Sequence, residues 1–197
     1  MIEVEVKAVV DDVATCRQRL LTAGAREEFS GRMRDLRYDT PGRALAAVDH
    51  VLRVRVYSGP AGEAAHLDWK GPTGIEGGLK TREEHTTGVT DLAGLTAILT
   101  ALGFVATREI EREVSMYRLG DATVRFERYP RMDDLVEVEG PPEAIESAIE
   151  VLGLERSSFT AERLPDFARR FEARTGERAA LCDAELACDY KYDLEQA

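Results

Sequence analysis

The chain has 197 residues, with 26 basic against 37 acidic side chains and a formal net charge of −11. A length of this order fits one domain, and 44% hydrophobic with 32% charged residues is ordinary for a globular protein and excludes wholesale disorder. The acidic balance excludes a general binder of nucleic acid or of anionic membranes, while leaving room for a local basic pocket.

No apolar run reaches the roughly 18 residues of a membrane span; the longest, residues 95–106, is broken by Thr96, Thr100 and Gly103. Glu3 and Glu5 stand where a signal peptide needs bases and then an apolar stretch, so a cytoplasmic location is expected. Cys16, Cys182 and Cys188 are scattered and form no CxxC, which gives neither a disulfide framework nor a zinc site.

In chain order, alternation predicts a first strand over residues 2–9. Asp11 then caps a helix with Val13, Cys16, Leu20 and Leu21 on one stripe, closed by Gly24. Strands follow over residues 32–38, 50–57, 64–70 and 79–87, punctuated by Thr40-Pro41-Gly42, Gly59-Pro60, Gly71-Pro72 and Gly77-Gly78. Thr90 or Asp91 caps a second helix carrying Leu95, Ile98, Leu99 and Leu102, closed by Gly103. Three more strands are expected over residues 109–117, 123–129 and 135–139. Pro141-Pro142 opens a third helix with Ile145, Ile149 and Leu152, closed by Gly153. A fourth runs from near Thr160 to Gly176, kinked or restarted at Pro165. The expected class is α+β: eight short antiparallel strands, as a sheet or barrel, with helices on one side. Residues 1–178 form one domain in this reading, and 179–197 an acidic C-terminal tail without strong periodicity.

The polar faces of the strands are the informative feature. Glu3, Glu5 and Lys7 alternate with Val4, Val6 and Ala8; Arg53 and Arg55 alternate with Leu52, Val54 and Val56; Glu137 and Glu139 alternate with Val136 and Val138. Arg82 pairs with Glu84 and Arg125 with Glu127 at the same spacing, while Lys70 ends the fourth strand and Arg112 lies in the sixth. Solvated strands carry charges too, but serine, threonine and glutamine are under-used here. Helices need the valine-rich face, so a curved or closed sheet would gather acids and bases around one cavity. Crowded carboxylates call for a cation. Hard oxygen donors suit Mg²⁺ or Mn²⁺, and arginine with lysine suits phosphates. Together they specify a polyanion held with its metal.

Glu3-Val4-Glu5-Val6-Lys7 resembles the ExExK motif of the CYTH superfamily, the triphosphate tunnel metalloenzymes. The resemblance continues in order through Arg53-Val54-Arg55, Trp69-Lys70-Gly71-Pro72, Lys80-Thr81-Arg82-Glu83-Glu84, Leu102-Gly103-Phe104, Tyr117, Glu127 and Glu137-Val138-Glu139, up to about Gly140. The wording of Lys-Gly-Pro and Lys-Thr-Arg-Glu-Glu is most similar to the class IV adenylate cyclase branch. The resemblance implies an eight-stranded antiparallel tunnel with a charged interior and helices outside. It implies metal ligation by Glu3, Glu5, Glu127, Glu137 and Glu139, and triphosphate contacts from Lys7, Arg53, Arg55, Lys70, Arg82 and Arg112. Lys7, Glu84 and Glu127 become the catalytic candidates. Two positions depart from the pattern. Glu127 stands where the family usually has aspartate, and Arg112 with Val114 where it often has Lys-x-Arg; Arg125 could replace the charge missing at Val114.

The implied activity is conversion of ATP to 3′,5′-cyclic AMP and pyrophosphate with Mg²⁺ or Mn²⁺. The alternatives are hydrolysis of inorganic tripolyphosphate, thiamine triphosphate or a nucleoside triphosphate, and non-catalytic binding of polyphosphate or nucleotide. The expected partners are thus a small triphosphate and, as a further candidate, a second copy of the chain, with no nucleic acid and no membrane. No histidine is needed: His50, His66 and His85 are scattered and read as surface or structural residues.

Overall fold

The computed structural model describes residues 1–196. Nine strands form in chain order: β1 (Ile2–Val9), β2 (Arg26–Asp39), β3 (Val51–Gly59), β4 (Gly62–Lys70), β5 (Gly74–Glu76), β6 (Leu79–Val89), β7 (Val105–Leu119), β8 (Ala122–Arg128) and β9 (Leu135–Glu139). The helices are α1 (Val13–Thr22), α2 (Leu92–Ala101), α3 (Pro142–Leu152), α4 (Leu164–Thr175) and the short α5 (Asp183–Leu186). The sheet order is β1-β9-β8-β7-β2-β3-β4-β6, and β1 also pairs with β6, which closes eight antiparallel strands into a barrel. The three-residue β5 adds to β6 outside that ring.

The expected fold class is therefore borne out, with differences of detail. β2 starts six residues before the alternation predicted, because it pairs along nearly the whole of β7 across two register shifts. Asp12 rather than Asp11 caps α1, its carboxylate accepting from the Thr15 backbone N–H at 2.9 Å. Asp91 caps α2 in the same way through Gly94. The last long helix starts at Leu164, and Pro165 sits in its first turn, where its missing N–H costs no helical bond; it begins the helix and does not kink it.

Apolar residues lie on the outside of the barrel, under the helices. Val6, Ala8, Val124, Phe126, Val136 and Val138 form one core with Cys16 and Leu20 of α1 and Ile145, Ile149 and Leu152 of α3. Gly153 ends α3 at φ 67°, and a Cβ there would overlap Arg19, which donates from Nη1 to the Leu152 carbonyl at 2.8 Å. Leu95 and Leu99 of α2 pack with Tyr38, Leu52 and Val54. Ile98 and Leu102, predicted on the same stripe, are 58% and 68% exposed. Leu21 of α1 is likewise exposed, because each of these helices has a core-facing arc narrower than its apolar content.

The C-terminal segment docks on the barrel. Ala180 bridges Arg131, and the Glu111 N–H donates to the Leu181 carbonyl at 2.7 Å, so this stretch runs beside β7 beyond the end of β8. Arg108 grips Glu185 through two hydrogen bonds of 2.6 and 3.0 Å, both residues being buried. Of the segment singled out as a tail, Ala197 lies outside the described residues.

Candidate active site: a charged tunnel

Strand register decides which charges meet. Residues directly opposite in paired strands share a face. Glu3 faces Arg82, Glu5 lies between Lys80 and Glu139, and Lys7 faces Glu137, which also faces Arg125. All these side chains point inward, since Val4, Val6 and Ala8 point to the outer core. In ring order, β1 and β9 with their acids stand opposite β2 and β3, which carry Arg53 and Arg55. A cavity of about 230 Å³ lies between these walls. Its lining includes Glu5, Lys7, Arg53, Arg55, Lys70, Arg82, Arg112, Arg125, Glu127 and Glu137 from the sequence-derived set. Glu3, Glu84 and Glu139 are not in direct contact with it.

Charges this deeply buried persist only when paired, and nearly every one is. Lys70 donates to both Glu3 oxygens at 2.7 and 2.6 Å and lies 3.2 Å from Glu84. Lys7 donates to Glu5 at 2.8 Å and also pairs with Glu137. Lys80 reaches Glu5 at 2.6 Å. Burial opposes the Glu5 charge, but Lys7 and Lys80 outweigh it and hold the carboxyl well below its ordinary range. Glu127 accepts from Arg112 and Arg125, each at 3.0 Å, and from the Tyr129 hydroxyl at 2.8 Å. Its carboxyl is lowered against burial by the two guanidiniums. Arg125 also donates to Glu137. Arg82 points its guanidinium at the backbone carbonyls of Gly71 and Asp49, both at 2.6 Å, so it fastens the loops at the mouth as well as lining the cavity.

Glu139 is the exception. Burial and the neighbouring Glu137 and Glu3 push its carboxyl up to about 7. Burial and Glu5 likewise raise Glu3 in spite of Lys70. Among the described residues, no three His, Cys, Asp or Glu side chains converge on one point suited to a metal. Lys7 bridges Glu5 and Glu137, and Lys70 bridges Glu3 and Glu84. The donor chemistry nevertheless fits a hard divalent cation: oxygen ligands from Glu3, Glu5, Glu137 and Glu139, short of positive charge at Glu139.

Several residues of the tunnel were missed by motif reading. Asp35 is buried on β2 and accepts from Arg55 at 2.7 and 2.8 Å and from Arg112 at 2.9 Å; those guanidiniums outweigh burial and hold its carboxyl well down. Asp68 does the same for Arg53 at 2.9 and 2.6 Å. Arg37 and Tyr129 line the cavity, as does Lys80, which belongs to the quoted Lys-Thr-Arg-Glu-Glu motif but was given no role. The sequence did signal Asp35 and Arg37 by their two-residue spacing, but apolar neighbours did not frame them as clearly. His50, read as surface or structural, lines the mouth and meets Trp69 edge-on at 5.0 Å. Tyr38, Val51, Leu52, Ile110 and Leu164 give the same cavity an apolar portion.

A closed antiparallel barrel with helices outside and bases and acids facing inward is the architecture implied by the resemblance above. The CYTH domain family model matches residues 1–172, and the chain belongs to that family. No curated protein matches the chain. Solved structures similar in fold include the PH1819 protein of Pyrococcus horikoshii, 22% identical over 82% of this chain and 94% of that one, with a TM-score of 0.68. A candidate adenylate cyclase of Vibrio parahaemolyticus is 18% identical over 85% of this chain and 97% of its own, with a TM-score of 0.74. A candidate adenylyl cyclase of Hippeastrum, described as having a dominant triphosphatase activity, is 17% identical over 91% and 98%, with a TM-score of 0.61. No helix among the described residues is long and apolar enough to cross a membrane.

Proposed function

We propose that this protein is a divalent-metal-dependent enzyme acting on a triphosphate, with ATP cyclisation to 3′,5′-cyclic AMP and pyrophosphate as the first reading. The observation that carries it is the facing of an acid wall, on β1 and β9, by a basic wall, on β2 and β3, across one enclosed cavity. An elongated polyanion neutralises the basic wall, and its metal neutralises the acid wall.

Binding exchanges ion-pair partners in this scheme. Phosphate oxygens draw Lys7, Lys70 and Arg125 from the carboxylates they now hold, and Arg53, Arg55 and Arg112 act from anchored positions. Asp35 and Asp68 stay behind as anchors, so those guanidiniums are oriented before the ligand arrives. Glu3, Glu5, Glu137 and Glu139 are then free to hold Mg²⁺ or Mn²⁺. A bound divalent cation supplies charge neutralisation at the phosphates and lowers the pKa of an attacking hydroxyl. Both Glu127 oxygens are taken by Arg112, Arg125 and Tyr129, which favours an orienting role for this acid over direct metal ligation. Lys7 and Glu84, beside the phosphate-binding bases, remain the other catalytic candidates. In cyclisation the ribose 3′-oxygen attacks the α-phosphorus, and the arginines and lysines meet the charge developing on pyrophosphate. The apolar portion of the cavity, with Val51, Ile110 and Leu164, offers a place for the organic part of such a substrate.

The second reading is a triphosphatase, with water as the nucleophile; the activity described for the similar Hippeastrum protein favours it. One substrate panel separates the readings: ATP, GTP, thiamine triphosphate and tripolyphosphate, each with Mg²⁺ and Mn²⁺ and with products identified. Cyclic AMP from ATP supports the cyclase, and orthophosphate supports the hydrolase. Tight binding without turnover under either metal leaves a polyphosphate or nucleotide binder.

A further inference from the structure

α2 breaks the pattern that the other long helices follow. α1, α3 and α4 carry charged side chains on their exposed arcs, among them Arg19, Glu146 and Arg170. α2 carries none: Leu-Ala-Gly-Leu-Thr-Ala-Ile-Leu-Thr-Ala is free of charge from end to end. A helix apolar all round is normally buried all round, yet Leu99 is its one buried residue. Ile98 and Leu102 are more than half exposed, and Leu92 and Val105 are exposed as well. The neutral surface is wider than the helix. Residues 86–107 hold a single charge, Asp91, which is engaged in capping α2 through the Gly94 N–H. Fifteen of these residues are exposed, on a chain whose net charge is −11.

We propose that this face is the contact surface between two copies of the chain, paired about a two-fold axis with α2 against α2. A chain of net charge −11 repels its own copy wherever charges face each other, and residues 86–107 offer an approach with almost none. A partner of opposite charge gains nothing from a face without charge, and the acidic balance disfavours an anionic membrane. Homodimer contacts are the most apolar and charge-poor of protein interfaces. The shape is also self-complementary. A groove lined by Leu92, Ala93, Thr96, Ala97, Thr100 and Ala101 runs along α2 beside the exposed Ile98 and Leu102, so each copy brings a ridge for the groove of the other. Fifteen exposed residues fall short of the about 20–30 per side of a standard interface, so the dimer forms over the micromolar range. Ala97, Ile98 and Leu102 do not line the tunnel, and the pairing does not depend on what the tunnel binds.

The test is sedimentation equilibrium of the full chain from micromolar to millimolar concentration, using the wild type, Ala97→Glu and Ile98→Glu. Leu21→Glu, on the exposed flank of α1, serves as the charge control. The wild type and the control should dimerise. Each α2 variant should weaken the dimer about 100-fold, because both copies bring the added charge to one contact. Added salt should tighten the wild-type dimer by screening the net repulsion, the reverse of an interface built on ion pairs. A wild type that stays monomeric throughout overturns the proposal, and flotation of that monomer with neutral phosphatidylcholine vesicles would assign the face to a lipid surface instead. A dimer indifferent to both α2 variants, or loosened equally by Leu21→Glu, overturns it by placing the contact elsewhere. Circular dichroism checks the fold; failure of both α2 variants to fold also overturns the proposal, since it makes these positions internal packing.

Discussion

The two faces of the barrel obey different physics, and single strands show it. On β1, Val6 and Ala8 disappear under α1 and α3, while Glu5 and Lys7, their immediate neighbours, face a cavity. The outer face is held by area removed from water, which is insensitive to which apolar residue touches which. The inner face is held by specific pairs, such as Arg55 with Asp35 and Arg53 with Asp68, in which removing one member strands the other. The outer face thus gives the barrel its stability, and the inner face keeps exchangeable counterions ready for a ligand.

The sharpest challenge to that division is Glu3→Ala. Burial and Glu5 already disfavour the Glu3 charge, so the variant should fold nearly as well as the wild type yet lose metal-dependent turnover. Retained turnover would break the assignment of the acid wall. Glu5→Ala should also abolish turnover, but at a cost in stability, because Lys7 and Lys80 lose a shared partner.

Asp35→Ala tests whether the inner face also carries stability. It leaves Arg55 and Arg112 short of a buried counterion, and should cost about 3–5 kcal/mol in denaturant unfolding. A loss no greater than that of a surface substitution would show that the network relaxes freely. Leu152→Ala, on the outer face, should cost about 2–5 kcal/mol while leaving the kinetic constants of the folded fraction unchanged. A selective change in KM would mean that the two faces are coupled.

Arg125→Ala should raise KM for the triphosphate about 10-fold or more, with a smaller change in kcat. An unchanged KM would remove Arg125 as the replacement for the charge absent at Val114.

The smallest effect concerns Glu139. Its carboxyl stands at about 7 in the folded protein against an ordinary 4.5. A raised acid contributes stability that is fully present below the ordinary value and is lost as pH rises through the folded one. In chelator, the stability difference between wild type and Glu139→Gln should therefore shift against the wild type as pH rises from about 5 to 8. A difference independent of pH would place Glu139 in solvent.

Much of this was legible in the chain. β1 and β9 were read with their observed bounds, because strict alternation of valine with charge leaves no other period. The Glu-x-Glu and Arg-x-Arg pairs announced a charged inner face for the same reason. Less legible were Ile98 and Leu102, apolar but exposed, since propensity does not say how wide an arc a helix buries. β5 was missed altogether, being three residues long and dependent on β6 for all its pairing.

What the sequence determined by itself is which residues share a side of each strand, because that alternation is built into extended backbone. What only the tertiary structure decided is who answers whom across the lumen. Glu3 meets Lys70 and Arg112 meets Asp35 because closure sets β1 against β6 and long register sets β2 against β7. Those partners lie 67 and 77 residues apart in the chain. No local pattern encodes a distance that only strand order and register create.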